Sequence, residues 1–402
     1  MRVLFADAFE QSGLDALARY GFELDYRPQL TAPELVEAVG DVDVLVVRST
    51  RVESEVFANP GPLGLVIRAG AGTNTIASEA AARQAVFVAN VPGKNSIAVA
   101  ELTMGLIMAI DRRIADNARD ARAGVWNKKE YSQAGGLFGK TLGLIGLGQI
   151  GLAVAARARA FGLNVIVVEK DRDPATVEAM HHLDIETVAD LGELARSSDI
   201  VSVHVPAASS TKRLIDAGFL GQMRPGAILI NTSRGDVIDE QALLAAIEDR
   251  NLRVGIDVFE GEPSTSKGKF ESGLARHPSV LTTHHIGAST AQAQEAIAAE
   301  VVEMIRAYQR GEIRNVVNLV TPSTAGSIMF VRHYDRVGVL SAVFAVLRRA
   351  DLNVQEMQNR IFAGAGAALA IIQIEGHVPA DVVATVGANP DVIHVAVRAS
   401  SS

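Results

Sequence analysis

The sequence predicts an α/β protein of three domains, and three observations lead there. Two stretches of chain alternate short β-branched runs with helical patterns. A glycine pattern occupies the first strand-to-helix turn of the second stretch. Beyond residue 327 the order of elements changes to βαββαβ. A chain of 402 residues is too long for one typical compact core, and a composition 48% hydrophobic and 21% charged can bury more than one.

In the first stretch, residues 3–6, 42–47, 65–69 and 86–89 read as buried strands, because each is a short, largely apolar run. Residues 13–20, 33–39 and 76–83 read as the helices between them, and the alternation points to parallel βαβ units. A long apolar helix over 97–110 leads into the second stretch. Its strands fall at 142–145, 164–168, 200–205, 227–231, 254–257 and 279–283, with helices at 150–161 and 240–249 among those between. Six strands with interleaved helices suit a Rossmann-like, doubly wound parallel sheet. Residues 321–326 are turn-rich and read as a linker. A strand at 328–333, a helix at 337–350, strands at 353–362 and 367–375, a helix at 380–386 and a strand at 392–397 follow. That order is ferredoxin-like.

Composition narrows function before any motif does. There are 38 basic and 46 acidic residues, a net charge of −8, without the basic footprint that phosphate-backbone binding leaves. No nucleic-acid partner is expected, whereas a small anionic substrate needs only a few local arginines. With no cysteine, disulfides, thiolate metal sites and cysteine nucleophiles are excluded. No metal site is expected: the pair His284-His285 cannot easily turn both rings to one ion, and His181-His182 reads as surface. No apolar run reaches the roughly 20 residues of a membrane span. The first seven residues meet Asp7 before a signal-like apolar region can form. The expectation is a cytoplasmic protein with no membrane partner.

Gly146-Leu147-Gly148-Gln149-Ile150-Gly151 matches the pattern G-x-G-x-x-G, between the strand at 142–145 and a helix. In that setting Gly146 allows a tight turn, Gly148 a close pyrophosphate, and Gly151 tight helix–strand packing, with Gln149 and Ile150 opening the helix. The next strand ends at Glu169, and 169 − 151 gives 18 positions, near the usual offset of about 20. A carboxylate there accepts from a ribose 2′-hydroxyl and repels a 2′-phosphate, which favours NAD over NADP, although Lys170 and Arg172 lie close by.

Three further stretches lie at or after strand ends: Asn231-Thr232-Ser233-Arg234-Gly235-Asp236, Asp257-Val258-Phe259-Glu260-Gly261-Glu262-Pro263, and His284-His285-Ile286-Gly287. They supply an arginine, a carboxylate and a histidine, a sufficient set for hydride transfer at a 2-hydroxy or 2-keto acid. An arginine fork holds a carboxylate, and a histidine oriented by an acid exchanges a hydroxyl proton near neutral pH.

With these motifs in this order, and with Gly139-Lys140-Thr141-Leu142-Gly143-Leu144-Ile145-Gly146-Leu147-Gly148, nearly the whole chain resembles the D-isomer-specific 2-hydroxyacid dehydrogenases. Within them it is most similar to the D-3-phosphoglycerate dehydrogenases. The resemblance implies NAD-dependent oxidation of 3-phospho-D-glycerate to 3-phosphohydroxypyruvate. Arg234 would bind the carboxylate, Glu262 would partner His285 as acid/base, and Asp257 would lie near the nicotinamide. It implies a flavodoxin-like substrate domain over 1–94 completed by 288–320, a cofactor domain over 95–287, and hinges near 93–97 and 286–290. Substrate contacts would come from Arg48 and Ser49, from Gly70, Ala71, Gly72 and Asn74, and from Asn95. The glycines of Arg68-Ala69-Gly70-Ala71-Gly72 read as freeing backbone amides for a carboxylate. Lys128 resembles a residue that reaches a neighbouring subunit's site, implying a homodimer or homotetramer. The chain departs from the family at His284, where proline is common.

The region 327–402 resembles an ACT domain, a module that binds small effectors between paired copies. His333, Asp335 and Asn353 fall on effector positions, and serine is the effector the resemblance suggests. Asp335 stands in place of an asparagine, and an ionised carboxylate accepts from an ammonium group but cannot donate. Two other readings remain. A reductase for glyoxylate, hydroxypyruvate or another small 2-keto acid would lack the need for Arg48. An NAD-sensing binding protein on the same scaffold would lack the need for a complete arginine, glutamate and histidine set.

Overall fold

The computed structural model describes residues 1–263, 268–320 and 326–399. The chain divides into two compact units, Met1–Asn318 and Leu319–Ser402. The first unit holds two parallel sheets. Strands β1 (Arg2–Phe5), β2 (Glu23–Tyr26), β3 (Val44–Val47), β4 (Leu65–Arg68) and β5 (Phe87–Asn90) form one, in the order β2-β1-β3-β4-β5. That is the flavodoxin-like order, with the reversal between β1 and β3.

The central strands are buried on both faces. Val3, Phe5, Val46 and Ile67 pack with Ile297, Val301 and Ile305 of the helix Ala291–Gln309, while Leu4, Leu45, Val47 and Val66 pack on Leu35 and Phe57. The chain then returns to β5, where Asn318 exchanges side-chain hydrogen bonds with the Val88 amide and the Val86 carbonyl, both 2.9 Å.

The second sheet contains β6 (Thr141–Ile145), β7 (Asn164–Val168), β8 (Ile185–Val188), β9 (Ile200–Val203), β10 (Ile228–Asn231), β11 (Arg253–Ile256) and β12 (Val280–Thr282). Its order is β12-β11-β10-β9-β6-β7-β8, all parallel, and it reverses between β6 and β9. Seven strands replace the six expected. Both strands that the sequence reading omits, β2 and β8, lie at sheet edges and bury little. The apolar helix Ser96–Asp111 packs Ala100, Met104 and Ile107 on one face of this sheet. No described helix is long and apolar enough to cross a membrane.

The second unit is an antiparallel sheet of β13 (Gly326–Tyr334), β14 (Val354–Ile361), β15 (Ala367–Glu375) and β16 (Val392–Ala399), in the order β14-β15-β13-β16. Two helices, Val339–Arg349 and Ala380–Gly387, cover one face, and the ferredoxin-like order of elements is as expected. The expected linker, apart from Gly326, lies outside the described residues.

Candidate active site

The three motif glycines have three different surroundings. Gly146 follows β6 with φ 103°, and a Cβ there would stand 2.6 Å from the His204 carbonyl oxygen after β9. A Cβ on Gly151 would stand 2.2 Å from the Gly146 carbonyl oxygen. Around Gly148, by contrast, nothing lies within 4 Å. Two glycines therefore let backbone meet backbone, and the third keeps open space at the N-terminus of the helix Gln149–Ala160. That is the cradle a pyrophosphate needs. Ile150 packs inward, and the Gln149 side chain closes on Gly93, whose Cβ it would meet at 1.7 Å.

Glu169 is exposed immediately after β7. The nearby guanidinium of Arg172 is turned back onto the strand end, donating to the carbonyls of Val168 (2.6 Å) and Lys170 (3.1 Å). The acid thus dominates the position a ribose would reach, and the residues fit NAD.

His285 and Glu262 are brought together: His285 Nδ1 lies 2.6 Å from Glu262 Oε2, and Glu262 Oε1 accepts the Phe259 amide at 2.7 Å. Burial pushes the Glu262 carboxyl up. The hydrogen bond and charge of His285, the Phe259 amide and Arg234 outweigh that and hold it below its ordinary value. The His285 backbone is in the left-handed region at φ 51°, a conformation that His tolerates better than most residues. Asp257 holds it there. Its carbonyl accepts the His285 amide at 2.7 Å, and its buried carboxylate accepts the Ile286 and Gly287 amides, both 2.9 Å, and the Thr283 hydroxyl. Both Asp257 oxygens are thus engaged by the histidine loop. His284 is exposed beside it.

Arg234 is presented by an Asx turn. Asn231 Oδ1 accepts the Ser233 amide and hydroxyl at 2.9 and 2.7 Å, and Asn231 Nδ2 donates to the Arg234 carbonyl at 2.8 Å. Gly235 lets this turn meet the glutamate loop, since a Cβ there would fall 2.0 Å from the Phe259 carbonyl carbon. Burial lowers the Arg234 guanidinium below its ordinary value, against the pull of Glu262 and Asp236.

The first sheet adds two more guanidiniums. Arg68, the last residue of β4, is lowered to about 10 by burial first, then by Arg234 and Arg48, with Asp7 opposing. Its Nε is buried without a hydrogen-bond partner. In the sequence Arg68 stands at a strand-to-loop junction, and the signal for its part is a cation at a strand's C-terminal end. The glycines after it lie against two guanidiniums. A Cβ on Gly70 would overlap Arg68 Nη1 at 1.7 Å, and one on Gly72 would lie 2.4 Å from Arg234 Nη2. They make room for guanidiniums laid across the backbone.

A cavity of about 680 Å³ joins loops of both sheets, lined by Ala71, Gly72, Asn74, Pro206 and Arg234 among others. Ser49 is exposed after β3, with its amide already bonded to Asp7 at 3.1 Å. Asn95 precedes the helix Ser96–Asp111, and its Oδ1 is buried without a partner. Lys128 is exposed in the short helix Lys128–Tyr131. His181 and His182 are exposed.

In the second unit His333 is buried, with Nδ1 2.8 Å from the Tyr334 carbonyl and Nε2 3.2 Å from Asn359 Oδ1. Asn353 donates to Glu375 at 3.1 Å, and Asp335 is exposed. Among the described residues no hydrogen bond joins these three candidates.

Residues 104–287 match the family described as D-isomer specific 2-hydroxyacid dehydrogenase, NAD binding domain. With the sheet orders and the site above, the chain belongs to the D-isomer-specific 2-hydroxyacid dehydrogenases. Among its relatives, the D-3-phosphoglycerate dehydrogenase of Methanocaldococcus jannaschii is 38% identical over 322 residues, 79% of this chain and 60% of that protein. The hydroxypyruvate reductase of Thermotoga maritima is 41% identical over 278 residues, 69% of this chain and 88% of that protein. A solved structure of a Thermus thermophilus protein has a TM-score of 0.70 at 32% identity, covering 79% of this chain and 100% of that one. The chain spans about 60% of the length of the curated phosphoglycerate dehydrogenases first matched.

Proposed function

We propose that the protein oxidises 3-phospho-D-glycerate to 3-phosphohydroxypyruvate with NAD. The observation that carries this reading is the placement of Arg68 and Arg234 across the Gly70–Gly72 segment, with Arg234 and Arg48 both disfavouring the charged form of the buried Arg68. A substrate with a carboxylate at one end and a phosphate at the other relieves that repulsion twice. NAD, when bound along Gly146–Gly151 and Glu169, supplies the hydride acceptor.

Arg234 holds the carboxylate and stabilises charge beside C2, while Arg48 and Arg68 take the distal phosphate, with Asn74 and Asn95 as further polar contacts. His285 takes the hydroxyl proton through Nε2, because Nδ1 is committed to Glu262, and Glu262 favours the imidazolium that forms. The C2–H pair of electrons leaves as hydride, and the C2–O bond becomes a carbonyl. Asp257 keeps the histidine loop in register. Closure about the Gly93–Asn95 segment would exclude water.

The test is the NADH-linked reduction of phosphohydroxypyruvate, hydroxypyruvate, glyoxylate and 2-oxoglutarate, with His285→Ala as control. A preference for phosphohydroxypyruvate well over tenfold, abolished in the variant, supports the reading. A second reading, reduction of hydroxypyruvate, is favoured by the Thermotoga maritima relative covered over 88% of its length. It holds if the unphosphorylated acid wins.

We also propose a homo-oligomer that reaches Lys128 into a neighbouring site. The helix Ile114–Arg122 buries none of its residues, and Trp126 is 88% exposed. The second unit is proposed as an ACT module for an amino acid such as serine, to be tested by serine titration of the rate.

A further inference from the structure

The first sheet reverses order between β1 and β3, the crevice where doubly wound sheets ordinarily take ligands. This crevice is already filled from within. Asp7, two residues past β1, sends one carboxylate oxygen onto three consecutive backbone amides after β3: Arg48 at 2.7 Å, Ser49 at 3.1 Å and Thr50 at 3.1 Å. Its other oxygen accepts the Thr50 hydroxyl at 3.1 Å. Three successive amides converging on one oxygen make a concave donor set of the kind that binds phosphate or carboxylate.

We infer that Asp7 is a positioning residue that occupies this amide set with its own carboxylate, denies it to the substrate, and directs the substrate's distal anion onto the Arg48 and Arg68 side chains. The inference rests on the proposal of a substrate with a distal anion. Two points support it. The same carboxylate anchors the backbone that presents Arg48. Among the groups acting on Arg68, Asp7 is the one anion, set against two guanidiniums. Binding through side chains rather than the amide set places a distal anion farther out from the strand ends, so the device selects for the length of the substrate.

Two variants separate its parts. In Asp7→Asn the amide oxygen still accepts the three backbone N–H groups, and its NH2 donates to the Thr50 hydroxyl, which can turn to the Leu30 carbonyl at 3.5 Å. In Asp7→Ala the amide set is left empty. In NADH-linked reduction by the full chain, Asp7→Ala is expected to raise the KM for phosphohydroxypyruvate about tenfold or more. The KM for glyoxylate, which has no distal anion, should move less than about twofold, and Asp7→Asn should stay within about threefold of wild type on both. Formate, a small carboxylate able to enter the emptied set, should restore part of the Asp7→Ala deficit and not help wild type. Equal impairment of both keto acids, or no response to formate, overturns the inference.

If wild type shows no preference for phosphohydroxypyruvate, it is the substrate proposal that fails. The filled amide set is then read from melting temperature, which formate should raise in Asp7→Ala and not in wild type; no such difference overturns it. If Asp7→Ala does not fold, Asp7→Asn decides: a tenfold loss of phosphohydroxypyruvate selectivity with the acceptor oxygen retained overturns it, and retained selectivity supports it.

Discussion

Replacing Arg68 with methionine should make the empty protein more stable and the enzyme worse. Burial, then Arg234 and Arg48, bring the Arg68 guanidinium down to about 10, against the pull of Asp7. That drop from the ordinary arginine value corresponds to about 3 kcal/mol by which folding disfavours the charged form. Because this is a base whose folded value is lowered, the penalty is present below about 10 and is relieved as pH rises through that value. Solvent entering the cleft screens part of it, leaving roughly 1–2 kcal/mol. Methionine is unbranched and gives up little in exchange, since the Arg68 Nε has no partner to lose.

The net expectation is a gain of about 1 kcal/mol, or about 2 °C in melting temperature for a unit of this size. Melting curves at neutral pH without phosphate measure it directly. Inorganic phosphate should raise the wild-type melting temperature more than the variant's. The KM for phosphohydroxypyruvate should rise about 10- to 100-fold, the loss of one charge-assisted hydrogen bond. A variant that melts more than about 2 °C below wild type, or one that keeps its KM, would refute the claim that Arg68 is a strained, anion-seeking group.

Gly148→Ala should leave the melting temperature unchanged, because a Cβ there meets nothing within 4 Å, yet weaken NADH binding measured by fluorescence titration. Gly72→Ala should fold normally, since the clash is with the movable end of Arg234, while kcat/KM falls about tenfold or more. Gly235→Ala should instead lose both stability and activity, because its Cβ would meet Phe259 backbone at 2.0 Å; equal melting temperatures for these last two variants would contradict the packing argument. Glu262 is held below its ordinary value, so the stabilisation it brings is present above the ordinary carboxylate value of about 4.3 and is lost as pH falls through the lower, folded value. The melting difference between wild type and Glu262→Gln should therefore be flat from neutral pH to about 5 and shrink below about 4, while the rate at neutral pH falls by about 10²-fold.

What the sequence disclosed followed from how completely each element is buried. Strands such as β3 and β10 bury every residue and stand out as apolar runs. β2, Glu23-Leu24-Asp25-Tyr26, and β8, Ile185-Glu186-Thr187-Val188, sit at sheet edges where the outward residues are polar, and no apolar period marks them. The pairing of His285 with Glu262 was legible because both residues lie in ordered motifs of the family. The guanidinium cluster was only half legible. Arg48 and Arg234 were named for their motifs, but the part of Arg68 depends on β3 and β4 being neighbours, and sheet order is not written in local pattern.

Glycines 70 and 72 illustrate the same limit. A glycine announces that a Cβ is intolerable without saying what occupies its place; the guanidiniums of Arg68 and Arg234 beside Gly70 and Gly72 could not be read from the glycines themselves. Asp7 lies 41 positions before Arg48, and only the reversal of strand order between β1 and β3 makes the two neighbours. The net charge of −8 is silent about a small anionic ligand for a related reason. Total charge describes the surface a distant partner meets, whereas a small anion responds to the few charges within reach. Here Arg234 lines the cavity and Arg68 lies against the neighbouring Gly70, while Asp7 is turned onto backbone amides and Glu262 onto His285.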